Sequence, residues 1–294
     1  MVIVITGPTA VGKTKLSVEI AKKLNGEIIN ADSTQVYKGL NIATAKIKEE
    51  EKEGIVHHLF DIKNIEENYS VFDYQKDARN LIDAILRKGK TPILVGGTGL
   101  YIKACLYDYK FDVNETKNEY ENLSNEEIYN KLKSIDKNID IHINNRKRLV
   151  NALNYCENNN KLFSEKEKTD KILYETLFIG LTTDRQTLYE RINKRVDCMV
   201  EEGLLEESKQ IYNSNVRTKA VLTPIGYKEL FPYFENNKSL EECLELIKQS
   251  SRKYAKRQYT WFNNQMNIKW FNVDFNNFNN TIDEVYNYIK NTQN

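Results

Sequence analysis

Apolar residues fall into short runs separated by longer stretches with helical spacing. Val2–Thr6, Glu27–Asp32, Thr91–Val95 and Thr176–Thr182 read as strands, His58–Ile62 as a weaker one and Met266–Asp274 as a late one. Lys13–Leu24, Ser70–Leu86, Asp184 to about Glu202, Leu240–Asn263 and Ile282–Lys290 read as amphipathic helices. Ser70 and Asp73 form a capping box, each side chain satisfying a first-turn N–H of the other, and Gly89 closes that helix. Gly203 stops the helix that starts at Asp184. Strand–helix alternation with short apolar strands predicts an α/β fold, a parallel sheet covered on both faces. From 110 to 174 the texture changes to polar helical segments, one opened by Ser124 with Glu127 three residues on, another by Asn144 or Asn145. An all-helical subdomain inserted at 110–174 into a core of 1–109 and 175–294 is expected.

Composition adds mainly exclusions. The chain has 294 residues, with 43 Lys and Arg against 42 Asp and Glu. There is no overall basic excess, so any nucleic-acid contact must come from local clusters. Cys105, Cys156, Cys198 and Cys243 form no C-x-x-C pair and read as reduced, mostly buried thiols of a cytoplasmic protein. The first apolar run lacks a basic flank and reads as a strand, not a signal peptide. No segment approaches the ~18 apolar residues of a membrane span, so no membrane partner is expected.

The first strand runs into Gly7-Pro8-Thr9-Ala10-Val11-Gly12-Lys13-Thr14, which fits G-x-x-x-x-G-K-[ST] between a strand and a helix. Backbone N–H groups of such a loop converge on phosphate oxygens at a helix N-terminus. Lys13 adds a point charge, and the Thr14 hydroxyl can hold Mg²⁺. Asp32 ends the second strand. It could bind Mg²⁺, accept a proton from a nucleophile, or merely cap the turn at Ser33-Thr34. Gly96-Gly97-Thr98-Gly99 follows another strand; it is either a ligand loop or an ordinary strand-to-helix turn. In an open parallel sheet these three loops meet at one crevice past the strands' carboxyl ends.

Near the end of the chain Lys248, Arg252 and Lys256 share a helical stripe, with Lys253 and Arg257 beside it. They suit either RNA phosphates or a solvated face, while Tyr254, Trp261 and Phe262 are expected in the core. His57 and His58 are adjacent, point to opposite faces of a strand and read as structural.

Taken together, the chain resembles the tRNA dimethylallyltransferase (tRNA isopentenyltransferase) family of bacterial type. The resemblance rests on GPTAVGKT at 7–14, DSTQVYKGLNIATAK at 32–46, HHLFDI at 57–62, YSVFDY at 69–74 and LVGGTGLY at 94–101. RVDCMVEEGLLEE at 195–207, IGYKEL at 225–230 and AKRQYTWF at 255–262 complete it. It implies a P-loop NTPase-like fold and transfer of a dimethylallyl group from dimethylallyl diphosphate to N6 of the adenosine 3′ of a tRNA anticodon. Asp32 would be the base, Thr98 would lie close to the reacting adenine, and Lys13 with the loop 7–14 and Mg²⁺ would hold the diphosphate. Ser33, Thr34, Gln35, Arg148, Arg257 and Gln258 would contact tRNA, and the inserted subdomain would grip the anticodon stem of this partner. The enzyme is expected to act as a monomer. Two departures stand out. Asn151-Ala152-Leu153-Asn154 replaces R-A-L-E, and Thr223-Pro224 precede IGYKEL, leaving Lys228 as the expected cation near the diphosphate. Competing readings are an AMP- or ADP-prenylating enzyme, a P-loop kinase binding ATP, and a non-catalytic RNA-binding module.

Overall fold

A computed structural model describes residues 1–111, 120–166 and 171–293. The chain runs β1 (Val2–Thr6), α1 (Lys13–Lys23), β2 (Gly26–Asn30), β3 (His57–His58), α2 (Val71–Arg87), β4 (Thr91–Val95) and α3 (Gly99–Leu106). Next come α4 (Asn125–Ile135), α5 (Arg146–Asn159), β5 (Thr176–Thr182), α6 (Arg185–Glu201), α7 (Leu204–Asn213) and α8 (Lys219–Leu222). The last elements are α9 (Phe231–Phe234), α10 (Leu240–Gln265), β6 (Lys269–Asn272) and α11 (Phe278–Gln293). Two compact units result, one of residues 1–107 with 172–294 and one of 108–171.

In the larger unit all six strands are parallel, in the order β3-β2-β4-β1-β5-β6. Successive residues of β1 face opposite sides, as a pleated strand requires. Val2 and Val4 join Ile29, Leu94 and Phe178 under α2 and α3. Ile3 and Ile5 join Ile28, Ile93 and Ile179 under α1, α6 and α11. From β1 the chain moves to β2 and β3, returns to β4, then crosses to β5 and β6. The carboxyl ends of β1, β2 and β4 therefore flank the point where strand order reverses, where open sheets bind ligands.

The helix ends follow the sequence. Ser70 accepts from the Asp73 N–H while Asp73 reaches back to the Ser70 N–H at 2.8 Å. Asp184 caps α6 and Ser239 caps α10. Gly203, expected only as a stop, sits left-handed at φ 102° and also opens α7.

The smaller unit packs α4 on α5 around Ile128, Leu132, Leu149 and Leu153. Asn154, one of the two departures, is buried there with neither amide atom hydrogen-bonded among the described residues. Arg148 is exposed on the first turn of α5, whose N-cap Asn145 accepts its backbone N–H.

On β2, the buried Glu27 carboxylate meets His58 Nε2 at 2.7 Å, Lys90 at 2.8 Å and Lys88 at 3.5 Å. Burial alone would raise this carboxyl, but the three partners outweigh it and hold it down at about 2. His58 is thereby a satisfied structural residue. Because the folded value lies below the ordinary 4.5, this group's stabilisation is complete above about 4.5 and is lost as pH falls toward about 2. In urea titrations Glu27→Gln should lower stability by about 2 kcal/mol at pH 7. That gap should close over the same acid window; a gap independent of pH would contradict the assignment.

Candidate active site

Past the carboxyl ends of β1, β2 and β4 lies a cavity of about 480 Å³, built wholly from the larger unit. Its first wall is the loop Gly7–Thr14. Gly7 has φ 134°, and a Cβ there would stand 2.5 Å from the Leu181 carbonyl oxygen. Gly12 has φ 93°, and its Cβ would stand 2.7 Å from the Phe278 ring of α11. Both turns need glycine for conformation and for space. Ala10 is also left-handed, at φ 68°. Arg191 Nε donates to its carbonyl at 2.9 Å, with the guanidinium 3.8 Å above the Phe275 ring. Thr9, Ala10, Gly12, Lys13 and Thr14 face the cavity, whereas Val11 anchors the loop in the core.

The second wall holds Asp32. Asn30 Oδ1 accepts the Asp32 N–H, and Asp32 Oδ1 accepts both the N–H and the hydroxyl of Thr34, at 2.9 and 2.7 Å. One carboxylate oxygen thus caps the turn. The other makes no hydrogen bond among the described residues, and Asp32 lines the cavity. Capping and chemistry coexist on one side chain. From the third wall, Thr98 Oγ1 accepts the Ser33 N–H at 3.1 Å and lies 3.3 Å from the Ser33 hydroxyl, so this loop and the Asp32 turn form one piece.

Gln258 of α10 closes the assembly. Its Oε1 accepts the Thr9 N–H and its Nε2 donates to the Gly97 carbonyl, both at 3.1 Å. A Cβ on Gly97 would lie 2.1 Å from that Nε2, and one on Gly99 would lie 2.0 Å from the Trp261 ring. The two glycines let α10 approach that closely. Gln258, expected to contact tRNA, is therefore buried between two loops with both ends of its amide on backbone. Arg257 lines the cavity, its guanidinium 5.5 Å from the Tyr254 ring.

Some expected residues lie elsewhere. Lys228 does not line the cavity; it is exposed and donates to the Leu222 carbonyl at 2.9 Å, because the turn before it aims the side chain back along α8. Arg148 belongs to the smaller unit. Lys248 and Arg252 are engaged by Asp197 and Glu245, so two cations of that stripe are ion-paired. Of the aromatics expected in the core, Phe262 is buried there, but Tyr254 faces the cavity. Arg195, to which the sequence reading gave no role, takes the place expected for Lys228. With Ile192, Val196 and Met199 it puts one face of α6 against the cavity. A lone cation on an otherwise apolar helical face was the available signal.

Burial pushes Lys13 down to about 7, Arg195 adds to the effect, and Asp32 opposes it. Lys13 Nζ donates to the Pro8 carbonyl at 2.7 Å. Burial also lowers Arg195, with Asp32 again opposing. Two buried cations, only partly offset by one carboxylate, favour an anion in this volume. Ile28, Val95, Val196, Ile225 and Ile247 give the rest of the lining an apolar character.

The profile of the IPP transferase family matches residues 35–265. This chain belongs to the IPP transferase family. Among its relatives, the tRNA dimethylallyltransferase of Anoxybacillus flavithermus is 49% identical over 98% of this chain and 96% of its own length. The solved tRNA isopentenylpyrophosphate transferase of Staphylococcus epidermidis superposes with a TM-score of 0.76 at 44% identity, covering 99% of both chains. A eukaryotic dimethylallyltransferase captured acting on tRNA gives 0.81 at 35% identity, over 92% of this chain and 73% of that one. The family's P-loop NTPase-like fold is the parallel sheet described above.

Because the folded Lys13 value lies below 10.5, the ligand-free protein gains stability from this group as pH rises from about 7 toward 10.5. A bound polyanion reverses the shift, so inorganic diphosphate binding at pH 8 should take up protons through Lys13. Calorimetry in buffers of different ionisation enthalpy measures the uptake, and Lys13→Met should remove most of it. Equal uptake by that variant would contradict the assignment. Gln258→Glu keeps an acceptor for Thr9 but sets a carboxylate against the Gly97 carbonyl, and kcat should fall about 10-fold or more. An unchanged kcat would show that the bridge is dispensable.

Proposed function

We infer that this IPP transferase is a tRNA dimethylallyltransferase, taking its donor from dimethylallyl diphosphate and its acceptor from N6 of the adenosine 3′ of the anticodon. One observation carries the reading: a phosphate cradle, an uncommitted carboxylate oxygen and an apolar wall face each other across a single cavity. In the reaction N6 attacks C1 of the dimethylallyl group, the C1–O bond breaks, and diphosphate leaves with the electron pair. The N6 proton passes to the free oxygen of Asp32. The loop N–H groups, Lys13 and Arg195 stabilise the charge that grows on the leaving group. The apolar residues exclude water from a carbon centre that would otherwise be hydrolysed.

Thr14 faces the cavity beside the loop, and its hydroxyl with diphosphate oxygens suits a Mg²⁺ ion bound mainly through substrate. Bound there, Mg²⁺ would neutralise the departing diphosphate. On the RNA side, Ser33, Thr34, Gln35 and Arg257 line the cavity, and Thr98 holds Ser33. The adenosine must leave its stack to enter. Arg148 and its neighbours on α5 are the proposed contacts to the anticodon stem. Action as a monomer is part of this proposal. No described helix is long and apolar enough to cross a membrane.

Incubating the protein with dimethylallyl diphosphate, Mg²⁺ and an unmodified anticodon stem-loop should give N6-dimethylallyl adenosine. Faster turnover of AMP than of the RNA would overturn the choice of acceptor. In the same assay Asp32→Ala should retain RNA binding while kcat falls by ~10²-fold or more. An unchanged single-turnover rate would remove Asp32 from the role of base.

A further inference from the structure

Glu207 of α7 does not line the cavity, yet four groups converge on its carboxylate. The N–H of Asn41 reaches Oε2 at 3.1 Å, that of Ile42 reaches Oε1 at 2.9 Å, and that of Ala43 reaches Oε1 at 3.4 Å. The Tyr227 hydroxyl donates to Oε1 at 2.7 Å. Consecutive backbone N–H groups form a nest that grips an anion, and here the anion is the protein's own. The same turn is closed by the Ala45 N–H on the Ile42 carbonyl and the Lys46 N–H on the Asn41 carbonyl, both at 2.9 Å. Gly226, next to Tyr227, presses on it so closely that a Cβ would lie 2.8 Å from that of Ala43.

The carbonyls of Thr44 and Ala45 emerge from this turn and accept both amide hydrogens of Gln35 Nε2, at 2.9 and 3.2 Å. Two carbonyls on one end of an amide fix its orientation, since the flipped side chain would set oxygen against oxygen. Gln35 lines the cavity, and its Oε1 has no partner among the described residues. It can therefore only accept there, which suits an exocyclic amino group of a base and rejects a base carbonyl.

We propose that Glu207 is a positioning residue for the RNA side of the reaction: it holds the Asn41–Ala45 turn so that Gln35 offers the acceptor loop only its carbonyl oxygen. The proposal rests on tRNA being the acceptor. It predicts an effect on RNA use with the diphosphate cradle untouched, because Glu207's hydrogen bonds go to Asn41, Ile42, Ala43 and Tyr227 and to no residue of the loop Gly7–Thr14.

The test measures steady-state transfer from dimethylallyl diphosphate to an unmodified anticodon stem-loop. Glu207→Gln should raise the RNA KM about 10-fold while kcat and the donor KM stay within about 2-fold. In a Gln35→Ala background the same change should add less than about 2-fold, since residues acting through one contact are not additive. Tyr227→Phe, which removes one of the four donors, should shift the RNA KM the same way by about 3-fold. If Glu207→Gln does not fold, Tyr227→Phe alone and with Gln35→Ala is judged by the same criteria. Equal rises in donor and RNA KM, a full effect persisting without Gln35, or no effect would overturn the proposal. Absence of any transfer to RNA by the wild-type protein would instead overturn the acceptor assignment above.

Discussion

The Gln258 amide is the joint on which the site depends. One end holds the phosphate loop through the Thr9 N–H, the other holds the Gly97 carbonyl beside Thr98, and Thr98 in turn holds the turn that carries Asp32. Three loops from separate strands thus form one rigid body. Transfer between donor and acceptor needs reacting atoms set within a few tenths of an ångström, and loose loops would not supply that. The glycines at 97 and 99 follow from the same requirement, because α10 could not otherwise come near enough.

The electrostatics of the cavity centre on two buried cations and one carboxylate. Lys13 and Arg195 are both weakened as proton holders by burial, and Asp32 restrains each of them. A cradle of this kind stabilises a polyanion more strongly than a solvated one, because the cations have given up water in advance. Asp32 keeps its second oxygen open by spending the first on Thr34, so a turn cap also orients the carboxylate.

What could be read from the chain depended on how local the determinant was. β1, β4 and β5 coincide with apolar runs, and α2, α6 and α10 begin at their capping residues. β3 shrinks to two residues because only His57 and His58 pair with β2. α3 escaped notice because it is buried nearly all round and shows no polar face. The phosphate loop, Asp32 and Thr98 were legible as sequence patterns. Arg195 left only a faint trace, a lone cation on an apolar helical face. The bridge made by Gln258 left none, since its partner Thr9 lies 249 residues away.

That separation bears on how the protein is made. Gly12 of the phosphate loop rests on Phe278, and α11 completes the core over α1 through Ile282, Val285 and Ile289. A ribosome delivers the first strand and its loop long before α10 and α11 emerge. The growing chain must therefore carry its first helix with part of its apolar face uncovered until α11 emerges. The site should therefore become complete only as a single late event of folding.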